Sequence, residues 1–168
     1  MELRAAGAEE WAAIAAVHHE AATEAYAGIF EPYADLFADE PLSFAEELRQ
    51  QWQRLLADPA VVARVAVIDE EIVGVGALRP DASVPSGVLL TKLYVQPARQ
   101  GSGAGAALLG RLTEAAAASG WASVNLWVLE ANARARGFYE RRGWHLVPGR
   151  TIENPPTPIL DVLYQRSL

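Results

Sequence analysis

Three alternating glycines, Gly101, Gly103 and Gly105, stand where an apolar run gives way to a helical pattern. Glycine permits positive φ angles and lets a ligand approach the backbone closely. Pro97 takes the chain out of the preceding strand, because proline has no N–H to give to a central strand. The first turn of the next helix offers unpaired N–H groups and the positive end of the helix dipole. The segment therefore predicts an anion-binding loop, although a tight strand-to-helix turn would need the same glycines.

Other phosphate-binding motifs fit this loop less well. A Walker loop needs a Gly-Lys-Ser/Thr run, and the chain has none. The dinucleotide fingerprint is Gly-x-Gly-x-x-Gly, whereas the glycines here are spaced Gly-x-Gly-x-Gly. The spacing therefore disfavours a nicotinamide cofactor.

Two segments resemble the GNAT superfamily of N-acetyltransferases. Gln100, Gly103 and Gly105 match the family core Gln/Arg-x-x-Gly-x-Gly/Ala, and the equally typical Leu-Tyr-Val-x-Pro precedes them. Residues 132–144 are similar to the signature Asn-x-x-Ala-x-x-Phe-Tyr-x-x-x-Gly-Phe, with Trp144 in place of the usual last aromatic. The order of predicted elements resembles the family along essentially the whole chain.

The resemblance implies acetyl-CoA as the co-substrate and no metal. The pyrophosphate would lie on the backbone N–H groups of the glycine loop, and the pantetheine arm would pair like an extra strand with β-strand residues before it. Asn132 would contact that arm or cap the helix that follows it. The implied cofactor-binding residues are Leu93, Val95, Gln100, Gly101, Ser102, Gly103, Ala104, Gly105 and Asn132.

The resemblance also implies direct attack of an amine on the thioester, without an acyl-enzyme. Tyr139 would be the catalytic residue and would give a proton to the leaving thiolate, as a phenol can when it lies within hydrogen-bond reach. Core packing beside Phe138 is the alternative role for Tyr139. Many relatives place a glutamate base near the position of Thr91 or Lys92, but neither residue is a carboxylate, so the general base stays unassigned.

The acceptor has weaker signals. Glu20 and Glu24 share one face of a predicted helix, and a solvated surface is their competing interpretation. The segment 24–32, which includes Tyr26, resembles the acceptor side of a GNAT group that contains polyamine acetyltransferases. Glu20, Glu24 and Tyr26 are therefore the candidate substrate-binding residues. His18 falls on the inner face of the same helix, which predicts that it is a core residue. The spacing of the histidines does not suggest a metal site.

The charges are unevenly distributed along the chain. Residues 1–86 hold 16 acidic and 5 basic side chains, whereas residues 87–145 hold 7 basic and 3 acidic ones. This asymmetry favours an anionic donor on the later half and a cationic acceptor on the earlier half, although unselected surface charge would look the same. The net charge of −7 argues against nucleic acid.

We therefore expect transfer of acetyl from acetyl-CoA to a primary amine on a small cationic molecule. A protein acetyltransferase acting on lysine or an N-terminal amine is a rival within the enzyme class. A non-catalytic CoA-binding regulatory module on the same fold is a rival from another class, and a structural α/β interaction domain is a third.

The elements that must position these residues follow from periodicity and breakers. The order β-α-α-β-β-β-α-β-α-β-β predicts an α/β fold with a mixed, mostly antiparallel sheet flanked by helices, and residues 88–129 predict its parallel crossover. We expect one domain over residues 1–168. The predicted strands are Leu3–Ala5, Val61–Ile68, Ile72–Leu78, Val88–Val95, Val124–Leu129, Trp144–Val147 and Ile159–Tyr164. The predicted helices run from Ala8 to Ala27, from Ser43 onward, from the glycine loop to Ala118 and from Asn132 to Arg142, with breaks at Pro32 and over residues 154–158.

The composition also indicates where the protein is located in the cell. The chain has no cysteine, so disulfides and thiolate chemistry are excluded. It has no apolar run of about 20 residues and no signal-peptide pattern at Met1. These features predict a cytoplasmic protein without a membrane partner, and a homodimer is one assembly that the sequence allows.

Overall fold

The computed structural model describes residues 1–29, 43–153 and 159–168. The predicted break at Pro32 and the proline-rich stretch 154–158 lie outside these residues. The helices are α1 (Trp11–Ala27), α2 (Phe44–Ala57), α3 (Ala104–Ala118) and α4 (Ala133–Glu140), with 3₁₀ turns at Ala8–Glu10 and Pro97–Arg99. The strands are β1 (Glu2–Ala5), β2 (Val62–Ile68), β3 (Glu71–Pro80), β4 (Val88–Val95), β5 (Ser123–Leu129), β6 (His145–Glu153) and β7 (Leu160–Ser167).

The strands form one mixed sheet in the order β1-β2-β3-β4-β5-β7-β6. Adjacent strands are antiparallel except β4 and β5, which are parallel. That pair is parallel because α3, which follows β4, carries the chain back to the side of the sheet where β4 began. β5 then runs in the same direction as β4. The predicted fold class and the predicted crossover over residues 88–129 are therefore confirmed.

The parallel pair separates early. β4 pairs with β3 from Val88 to Val95, but within the described ranges its register with β5 holds only Leu89 opposite Asn125. The buried Asn125 side chain ties this point together: its Oδ1 accepts from the Ser86 N–H at 3.1 Å and from the Ser86 hydroxyl at 2.6 Å, and its Nδ2 donates to the Tyr164 carbonyl at 3.3 Å. Beyond this anchor β4 and β5 diverge and leave room between them.

A β-bulge interrupts β4 just after that point. Ala77 of β3 lies opposite Lys92, whereas the next residue, Leu78, lies opposite Leu90. Thr91 is therefore the extra residue in β4, and such a bulge bends the strand and redirects its side chains. The sequence carries no glycine at this position and did not predict the bulge.

Helices cover both faces of the sheet. α1 and α2 bury Ile14 and Trp52 against Val65 and Val75 on one face. On the other face α3 packs along β3, and its buried residues include Leu108, Leu109 and Leu112. Each of these large side chains stabilises the fold by about 1.5–3 kcal/mol through removal from water. The start of α3 is thereby fixed beside the end of β4.

Helix α2 begins as the sequence predicts. The Ser43 hydroxyl accepts from the Glu46 N–H at 3.4 Å, and the Glu46 carboxylate accepts from the Ser43 N–H at 3.1 Å. This reciprocal pair is the predicted capping box. The hairpin between β2 and β3 is confirmed too, with Asp69 and Glu70 at φ angles of 52° and 67°.

The last two strands are longer than predicted. β6 starts at His145 rather than Trp144 and continues to Glu153 rather than stopping at Val147, and β7 runs to Ser167 rather than Tyr164. β6 is an edge strand whose side chains are mostly exposed, so its sequence lacks the apolar alternation that marks a half-buried strand. Trp144 is buried in the core just before it. In the described parts of the chain, no helix has the length and apolar character needed to cross a bilayer.

Candidate active site

A cleft of about 690 Å³ opens where β4 and β5 part. It lies within the range of about 300–1,000 Å³ that small-molecule sites occupy. The second half of β4 forms one wall and the second half of β5 another, while α1, α3 and α4 close the ends. The cleft is thus a direct consequence of the early separation at Asn125.

Most of the predicted site residues meet in this cleft, although they come from several elements. The residues that line it include Leu93, Val95, Gln100, Gly101, Gly103, Ala104, Gly105, Asn132, Tyr139 and Tyr26. Ser102, Glu20 and Glu24 are not among the lining residues described. The donor-side residues are therefore brought together, whereas the acidic pair on α1 is not.

The glycine loop has the backbone that its sequence suggests. Gly101 and Gly103 have φ angles of 83° and 88°, and Gly103 caps the start of α3 in the left-handed conformation. The Ser102 hydroxyl accepts weakly from the Ala104 N–H at 3.4 Å. The N–H groups of Gly105 and Ala106, also in the first turn, have no acceptor earlier in the helix. Both residues line the cleft, so an anion there can be bound by backbone donors.

Three arginines surround this end of the cleft. Arg99, Arg134 and Arg142 are lining residues. Arg134 donates to the Gln100 side-chain oxygen, and Arg142 stacks on the Phe138 ring with 3.9 Å between its guanidinium carbon and the ring centroid. Positive charge and backbone donors at one end suit the phosphates of a nucleotide-like ligand.

Tyr139 lies in an aromatic setting. Its ring packs edge-on against Phe138, with 5.2 Å between centroids, and against Trp144 at 5.7 Å. Burial raises the pKa of the Tyr139 hydroxyl well above its ordinary value, and the nearby Tyr26 raises it further. The hydroxyl therefore keeps its proton throughout the physiological pH range and can act as a hydrogen-bond donor.

A second set of polar groups also lines the cleft. Tyr26 is hydrogen-bonded to Tyr94, and burial followed by the nearby Asp161 carboxylate accounts for the raised pKa of Tyr26. Asp161 stands on β7 opposite Leu129 and is the only carboxylate among the described lining residues. Asp161 was not predicted as a site residue, because no local motif connects a residue of the last strand with Tyr26.

His18 supports this wall from behind. It is buried, it stacks on the Tyr94 ring with 3.7 Å between centroids, and its Nδ1 accepts from the Trp52 indole N–H at 3.2 Å. Burial, together with the charge of Lys92, lowers the pKa of His18 to about 2. His18 is therefore a neutral core residue, and the predicted position on the inner face of α1 is confirmed.

Lys92 also lines the cleft. Its Nζ donates to the Gln51 side-chain oxygen at 3.1 Å. Burial and, secondarily, the positive charge of Arg79 lower the pKa of Lys92 to about 8. From the sequence, Lys92 marks only a position where a glutamate is absent, because nothing in the local sequence reveals that the side chain is desolvated.

The acidic pair on α1 has a different placement. Glu20 is exposed, and Glu24 lies 3.7 Å from Arg134, with 48% of the Glu24 side chain and 72% of the Arg134 side chain exposed. An ion pair this exposed contributes about 0–1 kcal/mol to stability. Across the described ranges, no group of three or more histidine and acidic side chains is arranged to hold a metal ion.

Comparisons with known proteins show what the chain is similar to in sequence and in fold. A family model described as the acetyltransferase (GNAT) family matches residues 7–144. A probable N-acetyltransferase of Mycobacterium tuberculosis is 28% identical over 168 residues, which cover 96% of this chain and 89% of that protein. An uncharacterized N-acetyltransferase of Mycobacterium bovis is 34% identical over 119 residues, 69% of this chain and 70% of that protein. The crystal structure of the PaiA N-acetyltransferase of Thermoplasma acidophilum in complex with coenzyme A superposes with a TM-score of 0.73 at 21% identity, over 99% of this chain and 98% of that one.

Proposed function

The chain belongs to the GNAT family of acetyltransferases and is an acetyl-CoA-dependent N-acetyltransferase, and from that premise we propose that it acetylates a primary amine on a small cationic molecule by direct attack. The observation that carries the proposal is the cleft between β4 and β5, which is lined by backbone donors and arginines and by a second set of polar side chains. We also propose that residues 1–168 act as one domain. A cytoplasmic location and a homodimeric assembly stay predictions.

The donor end of the cleft is where we propose that the phosphates of acetyl-CoA bind. The N–H groups at the start of α3 and the guanidinium groups of Arg99, Arg134 and Arg142 support this assignment. We propose that the pantetheine arm runs along the edge of β4 at Leu93 and Val95, where β5 has already diverged. Asn132 also lines the cleft, and its Oδ1 caps α4 by accepting from the Ala135 N–H at 3.0 Å.

Acetyl-CoA supplies the activated acyl group as a thioester. In the proposed reaction the acceptor nitrogen, as a neutral amine, attacks the thioester carbon, and the carbon–sulfur bond breaks. Tyr139 is the proposed donor to the departing sulfur. Its raised pKa keeps the proton on the hydroxyl until the sulfur departs.

The acceptor class is the finer part of the proposal. Asp161 supports a cationic acceptor, because a carboxylate beside Tyr26 attracts an ammonium group and repels an acidic one. Glu20 and Glu24 give less support than the sequence suggested, since the former is exposed and the latter is paired with Arg134. Tyr26 remains a proposed acceptor-side residue.

An acceptor screen tests the proposed function. The purified protein is given acetyl-CoA with 1,4-diaminobutane, spermidine, glutamate, a peptide with N-terminal alanine and a peptide with an internal lysine, and thiol release is followed. We expect the two polyamines to give the highest kcat/KM. Preference for glutamate would contradict the cationic acceptor, and preference for a peptide would favour a protein acetyltransferase. Acetyl-CoA binding by calorimetry without turnover on any amine would favour a non-catalytic module.

A further inference from the structure

Lys92 is the only lysine in the chain, whereas arginine occurs 13 times. The two cations differ in a way that matters here. Arginine stays protonated under all conditions that a protein meets, but a lysine that is removed from water readily loses its proton. Among the lysine and arginine side chains, the protein therefore has one position whose charge can be lost near neutral pH, and that position lies in the cleft.

The β-bulge sets the direction of this side chain. Thr91 and Lys92, at the bulge in β4, line the main cleft and also a neighbouring cavity of about 370 Å³ that Gln51 and Arg79 border on the α2 side. Lys92 thus stands at the junction of the two spaces. Bulges of this kind are frequent beside active sites, where they redirect a side chain.

The surroundings of Lys92 lack a neutralising partner. Its Nζ donates to the neutral Gln51 amide, and no carboxylate in the described parts of the chain lies within ion-pair distance of it. Asp58 borders the neighbouring cavity, but its Oδ1 accepts from the Ala60 N–H at 2.9 Å. The titratable and charged groups that face Lys92 are Arg79 from β3, Arg54 and Asp58 from the end of α2, His18 from α1 and Tyr94 from β4.

We propose that Lys92 is the proton acceptor for the acceptor amine, in the role for which the sequence offers no carboxylate. The inference rests on the proposed acetylation of an amine. It assigns a catalytic function to a residue of β4 whose side chain lies on the same side of the strand as that of Tyr94, and both residues line the cleft.

The proton balance is simple. The neutral Lys92 amine takes one proton from the acceptor ammonium, directly or through one water molecule, and the freed lone pair attacks the thioester carbon. The carbon–sulfur bond breaks, and the sulfur receives a proton from Tyr139. The second proton on the acetylated nitrogen restores the Tyr139 hydroxyl, and Lys92 returns its own proton to solvent. One proton is released for each ammonium that becomes an amide.

The electrostatic setting supports this role. With a pKa of about 8, lowered by burial and by Arg79, a substantial fraction of Lys92 is neutral in mildly alkaline solution. A cationic acceptor entering the cleft would lower that pKa further through charge repulsion. Activity should therefore rise with pH and level off above the pKa of Lys92, since deprotonation produces the active form.

A direct titration is possible because the chain has a single lysine. The protein is labelled with ¹³C,¹⁵N-lysine, and the one Lys92 side-chain resonance is followed against pH, alone and with coenzyme A bound. We expect a midpoint near pH 8 in the absence of any reaction. A midpoint near the ordinary value of about 10.4 would overturn the proposal.

Kinetics separate proton transfer from simple positive charge. Lys92→Arg keeps the charge but cannot lose its proton, and Lys92→Met keeps the apolar stem without the charge. With the best amine of the acceptor screen, we expect kcat/KM at pH 7 to fall by roughly 10²–10⁴ in both variants. The loss should shrink as pH approaches the pKa of the acceptor itself, while the KM for acetyl-CoA stays the same.

The controls make the outcomes distinguishable. Arg111→Gln removes an exposed cation on α3, outside the cleft, and should leave the pH profile of the wild type intact. If Lys92→Met folds by circular dichroism and keeps the wild-type profile, or if Lys92→Arg is active where Lys92→Met is not, Lys92 is not the proton acceptor. If the wild type acetylates no amine at all, the proposed function fails, and the role of Lys92 fails with it.

Discussion

At the scale of single residues, the proposed chemistry depends on groups whose ionisation is controlled by burial. Tyr139 is held in its protonated form by an aromatic pocket, and Lys92 is moved toward its neutral form by the same kind of desolvation. The two pKa values move in opposite directions, but both shifts favour the neutral form and have a common cause, because each side chain is partly removed from water. A proton donor and a proton acceptor can therefore line one cleft at neutral pH.

Tyr139→Phe removes only the hydroxyl and leaves the packing against Phe138 and Trp144 in place. We expect kcat to fall by roughly 10²–10⁴, the usual effect of losing a positioned acid, while acetyl-CoA binding measured by calorimetry is preserved. Tyr164→Phe is the matched control. The Tyr164 hydroxyl donates to the Glu140 carboxylate with 2.6 Å between the oxygens, and Tyr164 does not line the cleft. Equal turnover of Tyr139→Phe and wild type from pH 6 to 9 would identify Tyr139 as a packing residue.

Gly103 allows a second test that changes charge alone. Gly103→Asp and Gly103→Asn add side chains of nearly equal size at the same left-handed position, which both residues tolerate better than most, and no atom lies within 4 Å of the added Cβ. We expect the Kd for acetyl-CoA to rise about 10-fold or more for Asp than for Asn, because the carboxylate meets the phosphates. Equal Kd values would place the phosphates elsewhere.

At the scale of elements, the cleft depends on how closely α3 packs on the sheet. Gly74 and Gly76 lie in β3 directly under the helix, and a Cβ on Gly76 would stand 2.5 Å from Cδ1 of the buried Leu112. The absence of side chains at these two positions lets α3 pack close to the sheet. The first turn of α3 is thereby held beside the end of β4, where the lining residues of the cleft converge.

Gly76→Ala is expected to lower the free energy of unfolding by about 1–3 kcal/mol, because the buried leucine above it has little room to shift. Gly110→Ala, on α3 itself, is the control, because a Cβ added there has no atom within 4 Å. That change should raise stability by up to about 1 kcal/mol through helix propensity. Urea unfolding of both variants checks the pair, and a stabilising Gly76→Ala would contradict the close approach described for α3.

At the scale of the whole molecule, the charges that line the cleft come from different parts of the chain. The basic residues at the donor end, Arg99, Arg134 and Arg142, all come from the positively charged segment 87–145. The acidic first half, by contrast, contributes no carboxylate to the described lining, and Asp161 from the last strand takes that place. The cationic acceptor was predicted from the acidic residues of the first half, but the carboxylate found in the described lining is that of Asp161.

Asp161→Asn tests this arrangement. If the acceptor is cationic, its KM should rise by about 10-fold or more, whereas the KM for acetyl-CoA should change little, because the groups proposed to bind the phosphates are the arginines and the N–H groups of α3. Glu114→Gln, an exposed acid on α3 outside the cleft, serves as the control. A larger effect of Asp161→Asn on the donor than on the acceptor would remove the main support for a cationic acceptor.

The sequence by itself determined the features that depend on short stretches of chain. The glycine loop, the capping box at Ser43, the hairpin at Asp69 and the order of elements all follow from neighbours a few residues apart. The fold class and the family were readable for the same reason, since two local motifs occur in the right order. The bounds of β6 were not readable, because an exposed edge strand has no apolar alternation to mark its end.

Only the tertiary structure decided which side chains share the cleft and how they ionise. Asp161 lies near Tyr26, although more than a hundred residues separate them along the chain. Glu24 forms an ion pair with Arg134 and does not form an acidic pair with Glu20 in the cleft. The lowered pKa of Lys92 arises from burial and from Arg79 on the neighbouring strand. Desolvation and long-range electrostatics depend on the complete packed arrangement of the chain, so they leave no pattern in the residues around them.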